Sequence, residues 1–576
     1  MSTEITTVTR PQPSAIQTLV LGAAPSKEPS TPSSTSSTAF PQVVPDLASH
    51  TGRNLIVCFD GTGDQYDQDN SNIVKFVQLL KKDDKSKQMV YYQAGIGTGV
   101  GLKPTGKLMS KISQTVDMAL ATGLSVHVRA GYEFLMQNYT EGDRISLFGF
   151  SRGAYTARAL AGMLHKVGLL PAYNHEQVPF AYKMFKRDDP IGWKMSNGFK
   201  RAFCIDVKID FVGVFDTVNS VGIIPRELPF AKTNHLIRVF RHAVALDERR
   251  AKFKANMWGR ATEDEEKLGA DGKRGIYVRK KTLNGVNISS FVKGWEEVVD
   301  RMKGDHGKDK DGHPQEKERK KSEASDEEER VDHDHEDDDK KSGHEHIPDV
   351  SHHGGRDCSS AAEREHETDV KEVWFAGAHC DVGGGSVPNE TQNNLARIPL
   401  RWMVRECFLN NTGILFHSSE LAEIGLSPCS LWPIVKVPTP PTPTALETKH
   451  EMGPTDGTLV DSPRSTPLPG NPLLPLARVT LGSEDDALDA ITPIYDQLSI
   501  AKGWWVLEIL PLRQRYQRHD KTWRSWFEVN MGGPRKIHGQ KRFPTYVHRS
   551  VLYRMQELDY VPKAQLLSNP SPVWVD

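Results

Sequence analysis

Short apolar runs alternate with amphipathic stretches along residues 52–300 and again along 370–435. "NLIVCF" (54–59) is a run of strand length with the pattern of a strand buried on both faces. "SNIVKFVQLLKK" (71–82) repeats its apolar positions at helical spacing behind a Ser/Asn start signal. "QMVYYQAG" reads as a strand, "AGYEFLMQNY" as a helix, "RISLFGF" as a strand and "AYTARALAGMLHKVGLL" as a helix. "IDFVGVFD" (209–216) and "EVWFAGAH" (372–379) are two further strands. Strands alternating with helices predict a mostly parallel sheet with helices on both faces. The last block, with "GWWVLEILPL" and "YVHRSVLYRM", reads as a helical C-terminal extension or cap over 481–576.

Three stretches break this rhythm. Residues 1–51 are rich in Ser, Thr and Pro and bury too little apolar surface to offset the entropy of ordering, so a disordered tail is expected. Residues 301–369 carry dense charge of both signs and form a disordered insertion between two core strands. Residues 436–480 are a Pro-rich linker or loop. The expected organisation is therefore one catalytic domain over 52–435 interrupted by the charged tract, then the linker, then the extension. A hydrophobic content of 37% across 576 residues agrees with polar segments inserted into ordinary domain sequence.

Charge narrows the partners. With 73 basic and 74 acidic residues the chain has no overall field to attract nucleic acid or anionic membrane. The six cysteines show no CxxC spacing and read as reduced thiols in a cytosol-like compartment, so a cytoplasmic protein is expected. No apolar run reaches membrane-spanning length.

The chemistry concentrates in "DRISLFGFSRGAYTARALAGML" (143–164), where a strand runs into Gly149-Phe150-Ser151-Arg152-Gly153 and then a helix rich in small residues. G-x-S-x-G between a strand and a helix is the pattern of a nucleophile elbow. It stands the serine at a helix N-terminus, where free N–H groups favour developing negative charge. A hydrolase of this kind places its acid and then its histidine later in the chain, each at a strand end. Asp216 closes "IDFVGVFD" and His379 closes "EVWFAGAH", in that order. Asp381 and Asp247 compete for the acid role. The glycines after Asp381 imply a turn and a backbone-capping role. Asp247 follows sequence read as helical and has arginines beside it, which suggests a structural ion pair. The oxyanion donors are expected from the N–H of Arg152 and from Gly61 and Thr62 in "VCFDGTGD", a loop that Asp60 organises through its side chain.

"FDGT", "GFSRGAYTAR", "FVGVFDTV", "HAVALDERRAKF", "FAGAHCDVGGG" and "LRWMVRE" together, in this order, resemble the catalytic domain of the type VI secretion phospholipase effectors (Tle1-like), over about 52–300 and 370–415 and more loosely beyond. The resemblance implies an α/β-hydrolase fold. It implies a triad of Ser151, Asp216 and His379, and cleavage of an acyl ester such as a phospholipid through an acyl-enzyme. An acyl-ester or lipid substrate and transient contact with a membrane surface go with it, and no cofactor or metal. The long charged insertion and the tail depart from the bacterial members.

Other signals are weaker. "GIGTGVG" (95–101) lacks the spacing of a nucleotide cradle and reads as a loop near the site mouth. A phosphohydrolase D-x-D-G-T loop is broken by Cys58 at its first position. The histidines of the charged tract read as part of a solvated spacer rather than a metal site, and Trp504, Trp505, Trp523 and Trp526 as core aromatics rather than an acyl groove. The competing class is a non-catalytic scaffold with a hydrolase-like fold.

Overall fold

Six strands along the first two thirds of the chain are β1 (Asn54–Phe59), β2 (Gln88–Gln93), β3 (Arg144–Phe150), β4 (Ile209–Phe215), β5 (Ile237–Ala245) and β6 (Asp369–Phe375). They lie side by side in a computed structural model that describes residues 40–96, 109–218, 228–259, 367–436 and most of 481–576. The tail up to residue 39, the glycine-rich loop beyond Ile96, the charged tract with its histidines up to residue 366 and the Pro-rich stretch 437–480 lie outside the described residues.

The C-terminal segment differs from its expectation. It holds short helices, but also a hairpin of β7 (Pro511–Gln517) and β8 (Trp523–Val529), and then β9 (Tyr546–His548) and β10 (Val573–Val575). β9 pairs with β6 and β10 pairs with β9, both parallel. The eight-stranded sheet runs β10-β9-β6-β5-β4-β3-β1-β2. Every pairing in it is parallel. The segment read as a cap therefore completes the sheet. "YVHRSVLYRM" divides at His548: its first three residues are strand, and α5 (Arg549–Glu557) follows. Three residues are too few for periodicity to mark a strand.

The side chains of β1 alternate between two cores, as a pleated strand requires. Ile56 and Cys58 join Phe76, Phe148, Phe211 and Trp402 on one face, beneath α1 (Asn72–Leu79) and α4 (Arg397–Leu409). Leu55, Val57 and Phe59 join Tyr132, Leu147 and Leu160 on the other, beneath α2 (Met109–Asn138) and α3 (Ser151–Val167). Burial on both faces is why every residue of β1 after Asn54 is apolar. Ser71 starts α1 by accepting the Val74 N–H at 3.3 Å. No helix among the described residues is long and apolar enough to cross a membrane.

Candidate active site

β3 passes into α3 without a connecting loop: Phe150 is the last strand residue and Ser151 the first helical one. That turn puts Ser151 at φ 58°, the left-handed region that non-glycine residues avoid. The flanking glycines allow it by close contact. A Cβ on Gly153 would stand 2.3 Å from the carbonyl oxygens of both Phe59 and Asp60. One on Gly149 would stand 2.5 Å from the Gly153 carbonyl oxygen. Only hydrogen at these positions lets the start of α3 lie against the end of β1.

His379 and Asp216 meet Ser151 from the ends of β6 and β4, on the same side of the sheet as the end of β3. Asp216 follows β4, and His379 opens a short helical turn (His379–Gly383) four residues beyond the end of β6. Ser151 Oγ is 2.8 Å from His379 Nε2, and His379 Nδ1 is 2.5 Å from Asp216 Oδ2. All three are buried, Ser151 being 5% exposed and Asp216 0%. The imidazole is held by more than its two polar partners. Phe150 packs on it at a tilt and Phe253 meets it edge-to-face, at ring-centroid distances of 4.7 and 4.8 Å. Its backbone N–H donates to Glu248 Oε2 at 3.2 Å.

Burial by itself would raise the Asp216 carboxyl. The Arg535 guanidinium and then His379 outweigh it and hold the group well below the ordinary carboxylate range. The His379 imidazole is shifted down, chiefly by burial; Asp216 opposes that shift and Arg250 adds to it. The consequence is a neutral imidazole at neutral pH. With Nδ1–H donating to the carboxylate, Nε2 is free to accept from the Ser151 hydroxyl.

The loop after β1 is organised by Asp60. Its Oδ1 accepts from the Gly61 N–H at 2.9 Å and the Ser71 hydroxyl at 2.6 Å, and its Oδ2 from the Tyr92 hydroxyl at 2.8 Å. Gly61, expected as an oxyanion donor, therefore spends its N–H on its own neighbour. Thr62, next along, gives its N–H to no acceptor among the described residues. Arg152 lies in the first turn of α3.

Neither competing aspartate reaches His379. Asp381 accepts the N–H groups of Ala378 and Tyr495, each at 2.9 Å. Asp247 follows strand β5 rather than a helix. It pairs with neither neighbouring arginine: it accepts from the Gly377 N–H at 2.7 Å, the Tyr560 hydroxyl at 2.7 Å and the Lys563 N–H at 3.0 Å. Arg249 reaches Asp496 instead, and Arg250 reaches Glu248. The tryptophans divide. Trp504 packs edge-on to Phe253, whereas Trp523 and Trp526 line a cavity of about 300 Å³ with Trp258, Trp374, Lys254 and Arg535. Ser151 and His379 are not among its lining residues. Among the described residues no group of three or more His, Cys, Asp or Glu could hold a metal ion.

Sequence reasoning missed Arg535, Glu248 and the pair His242–Glu372. His242 Nδ1 lies 2.8 Å from Glu372, and its Nε2 accepts the Thr217 N–H at 3.0 Å, which fixes the chain just past Asp216. "HAVALDERRAKF" contains His242 and Glu248, but no spacing within it says which of its polar residues turn inward.

A parallel sheet with helices on both faces and a serine, an aspartate and a histidine just past the C-terminal ends of three of its strands has the layout of an α/β-hydrolase. The chain matches the family described as "T6SS, Phospholipase effector Tle1-like, catalytic domain" over residues 53–406, and it belongs to that family. It is also similar to the uncharacterized protein YEL023C of Saccharomyces cerevisiae, at 27% identity over 569 residues, covering 89% of this chain and 80% of the yeast protein. Two solved structures resemble it more distantly. An uncharacterized protein from Pseudomonas aeruginosa gives a TM-score of 0.28 at 15% identity and covers 66% of this chain. The Tle1 effector bound to the VgrG spike of the type 6 secretion system gives 0.20 at 22% and covers 36%. The chain spans only about half the length of each, 50% and 48%.

Proposed function

We propose that this protein is a serine hydrolase that cleaves an acyl ester, with a phospholipid as the substrate class, through an acyl-enzyme on Ser151. The observation that carries the reading is the unbroken hydrogen-bonded series from Ser151 through His379 to Asp216. His379 Nε2 takes the Ser151 proton as Oγ attacks the acyl carbonyl, and Asp216 stabilises the imidazolium that forms. His379 then returns the proton to the departing alcohol. A water activated in the same way by His379 releases the acid. The N–H groups of Arg152 and Thr62 are the oxyanion donors in this reading: Arg152 follows the nucleophile in the first turn of α3, and Thr62 lies in the loop after β1, where Gly61 is already engaged. The left-handed backbone at Ser151 supports it, because such strain is retained where a sharp strand-to-helix turn must present a nucleophile. Family membership supplies the lipid-ester class.

The test pairs two measurements on the full chain. A fluorophosphonate probe should label the wild type at Ser151 and leave Ser151→Ala unlabelled. Hydrolysis of mixed phospholipid vesicles should release fatty acid with the wild type only. A wild type that takes no label would refute the reading and favour the scaffold.

A further inference from the structure

The Asp216 carboxylate that His379 contacts is also bound, at both oxygens, by a residue outside the family-matched stretch. Arg535 lies just before a two-residue strand in the C-terminal segment and is 2% exposed. Its guanidinium faces the Asp216 carboxylate end-on, Nη1 to Oδ1 at 2.6 Å and Nη2 to Oδ2 at 2.8 Å. The remaining donors go to backbone carbonyls. Nη1 also reaches Ala245 O at 2.9 Å, Nε reaches Phe253 O at 3.2 Å, and Nη2 reaches the same Phe253 carbonyl. All five N–H groups of the fork are thus used. The Ala245 N–H adds a further donor to Asp216 Oδ1 at 2.9 Å. This is a rigid mount for one carboxylate, and one of its carbonyl anchors, Phe253, also carries the ring that packs on His379.

We propose that Arg535 is a positioning residue for the reaction: it fixes the Asp216 carboxylate for His379 and, by balancing its charge, sets the pH at which His379 becomes a usable base. The proposal rests on the serine-hydrolase reading above.

The electrostatics have a definite sign. An unpaired Asp216 would place a full negative charge 2.5 Å from the imidazole in a buried site and favour imidazolium. With Arg535 bound to the same carboxylate the pair is close to neutral, and that pull is weakened. The other charged groups facing His379 are Glu248 and Arg250 from the segment after β5, which bind each other through Oε2 and Nη2 at 2.8 Å. Asp64, Asp381 and Arg250 act on the neighbouring Cys380. Lys254 lies near enough to Arg535 to be depressed by it, to about 8, with burial the larger cause. Among these groups Arg535 alone is hydrogen-bonded to the carboxylate that holds His379.

The experiment measures the rate of Ser151 labelling by a fluorophosphonate against pH for the full-length wild type, Arg535→Met and Arg535→Lys, with a thermal melt of each. In Arg535→Met the acid limb should move up by about one pH unit, a roughly tenfold loss of rate on the acid side relative to its own plateau. Arg535→Lys keeps the charge but not the two-pronged contact. Its limb should stay within about 0.3 unit of wild type while its plateau falls about tenfold. A lowered melting temperature with an unmoved or downshifted limb in Arg535→Met would make the arginine merely structural and overturn the proposal. If Arg535→Met does not fold, Arg535→Lys decides, and a wild-type plateau there overturns it. A wild type that takes no label at all removes the hydrolase reading and this proposal together, so the two failures are distinguishable.

Discussion

Ser151 and His379 stand 228 residues apart in the chain, yet Oγ lies 2.8 Å from Nε2, a distance at which a proton passes directly between them. Replacing Ser151 by alanine should therefore cut ester turnover by several orders of magnitude, because members of such a unit fail together. The fold should survive, since one hydroxyl in a turn contributes little to stability. Steady-state hydrolysis and a thermal melt of the variant check both halves. A variant retaining a tenth of wild-type turnover would show that Ser151 is not the nucleophile.

Gly153→Ala should be far worse for the fold than its size suggests. The added methyl would stand 2.3 Å from two carbonyl oxygens at the end of β1, and neither backbone can yield without opening the strand–helix junction. Overpacking of this kind costs about 1–3 kcal/mol or more. Urea denaturation would read it as a lowered midpoint, and fluorophosphonate labelling should fall with it. A wild-type midpoint would mean that the junction has room for a methyl group.

The pH profile of kcat/KM should have its acid limb below the ordinary imidazole value of 6.5, because burial shifts His379 down and Arg250 adds to it while Asp216 only opposes. The sign follows from the role. The neutral imidazole is the base, so activity is full above the folded pKa and is lost as pH falls through it. A limb centred above 6.5 on a short-chain ester would contradict a neutral buried His379.

Residues 481–576 should not be removable. Their loss would take away β9 and β10, expose the β6 edge of the sheet and leave Asp216 without Arg535. A buried charge stripped of its partner costs several kcal/mol. The truncated chain should be insoluble or melt without a cooperative transition. A soluble, cooperatively melting truncation would contradict the sheet order.

Deleting residues 305–365 and joining the ends with a short Gly/Ser linker should, by contrast, leave an active enzyme. The stretch holds few apolar residues, and closure entropy depends only logarithmically on loop length. Labelling at Ser151 in the deleted form is the readout, and loss of folding would assign the tract a structural part.

What the sequence determined by itself was everything carried by local pattern. β1, β3 and β4 are largely apolar runs because a parallel sheet covered on both faces buries both sides of each strand, and in β6 only Val373–Phe375 follow that pattern. Gly149 and Gly153 announce a turn that no side chain could enter, and the apolar runs and chain order pointed to Asp216 and His379 in the segments that close strands after Ser151, although the strand before His379 stops at Phe375. Tertiary structure decided what depends on approach between distant segments. β9 and β10 are three residues each, too short for periodicity, and exist as strands because β6 offers them an edge. Asp247 looked like an arginine partner, but the strand geometry around it turned its carboxylate to backbone N–H groups and Tyr560. Gly61 looked like an oxyanion donor until the Asp60 side chain folded back on it. Arg535 has no signature in "GGPRKIHG", because its role comes from a carboxylate 319 residues away and from two carbonyls that only the folded chain brings within reach of its guanidinium.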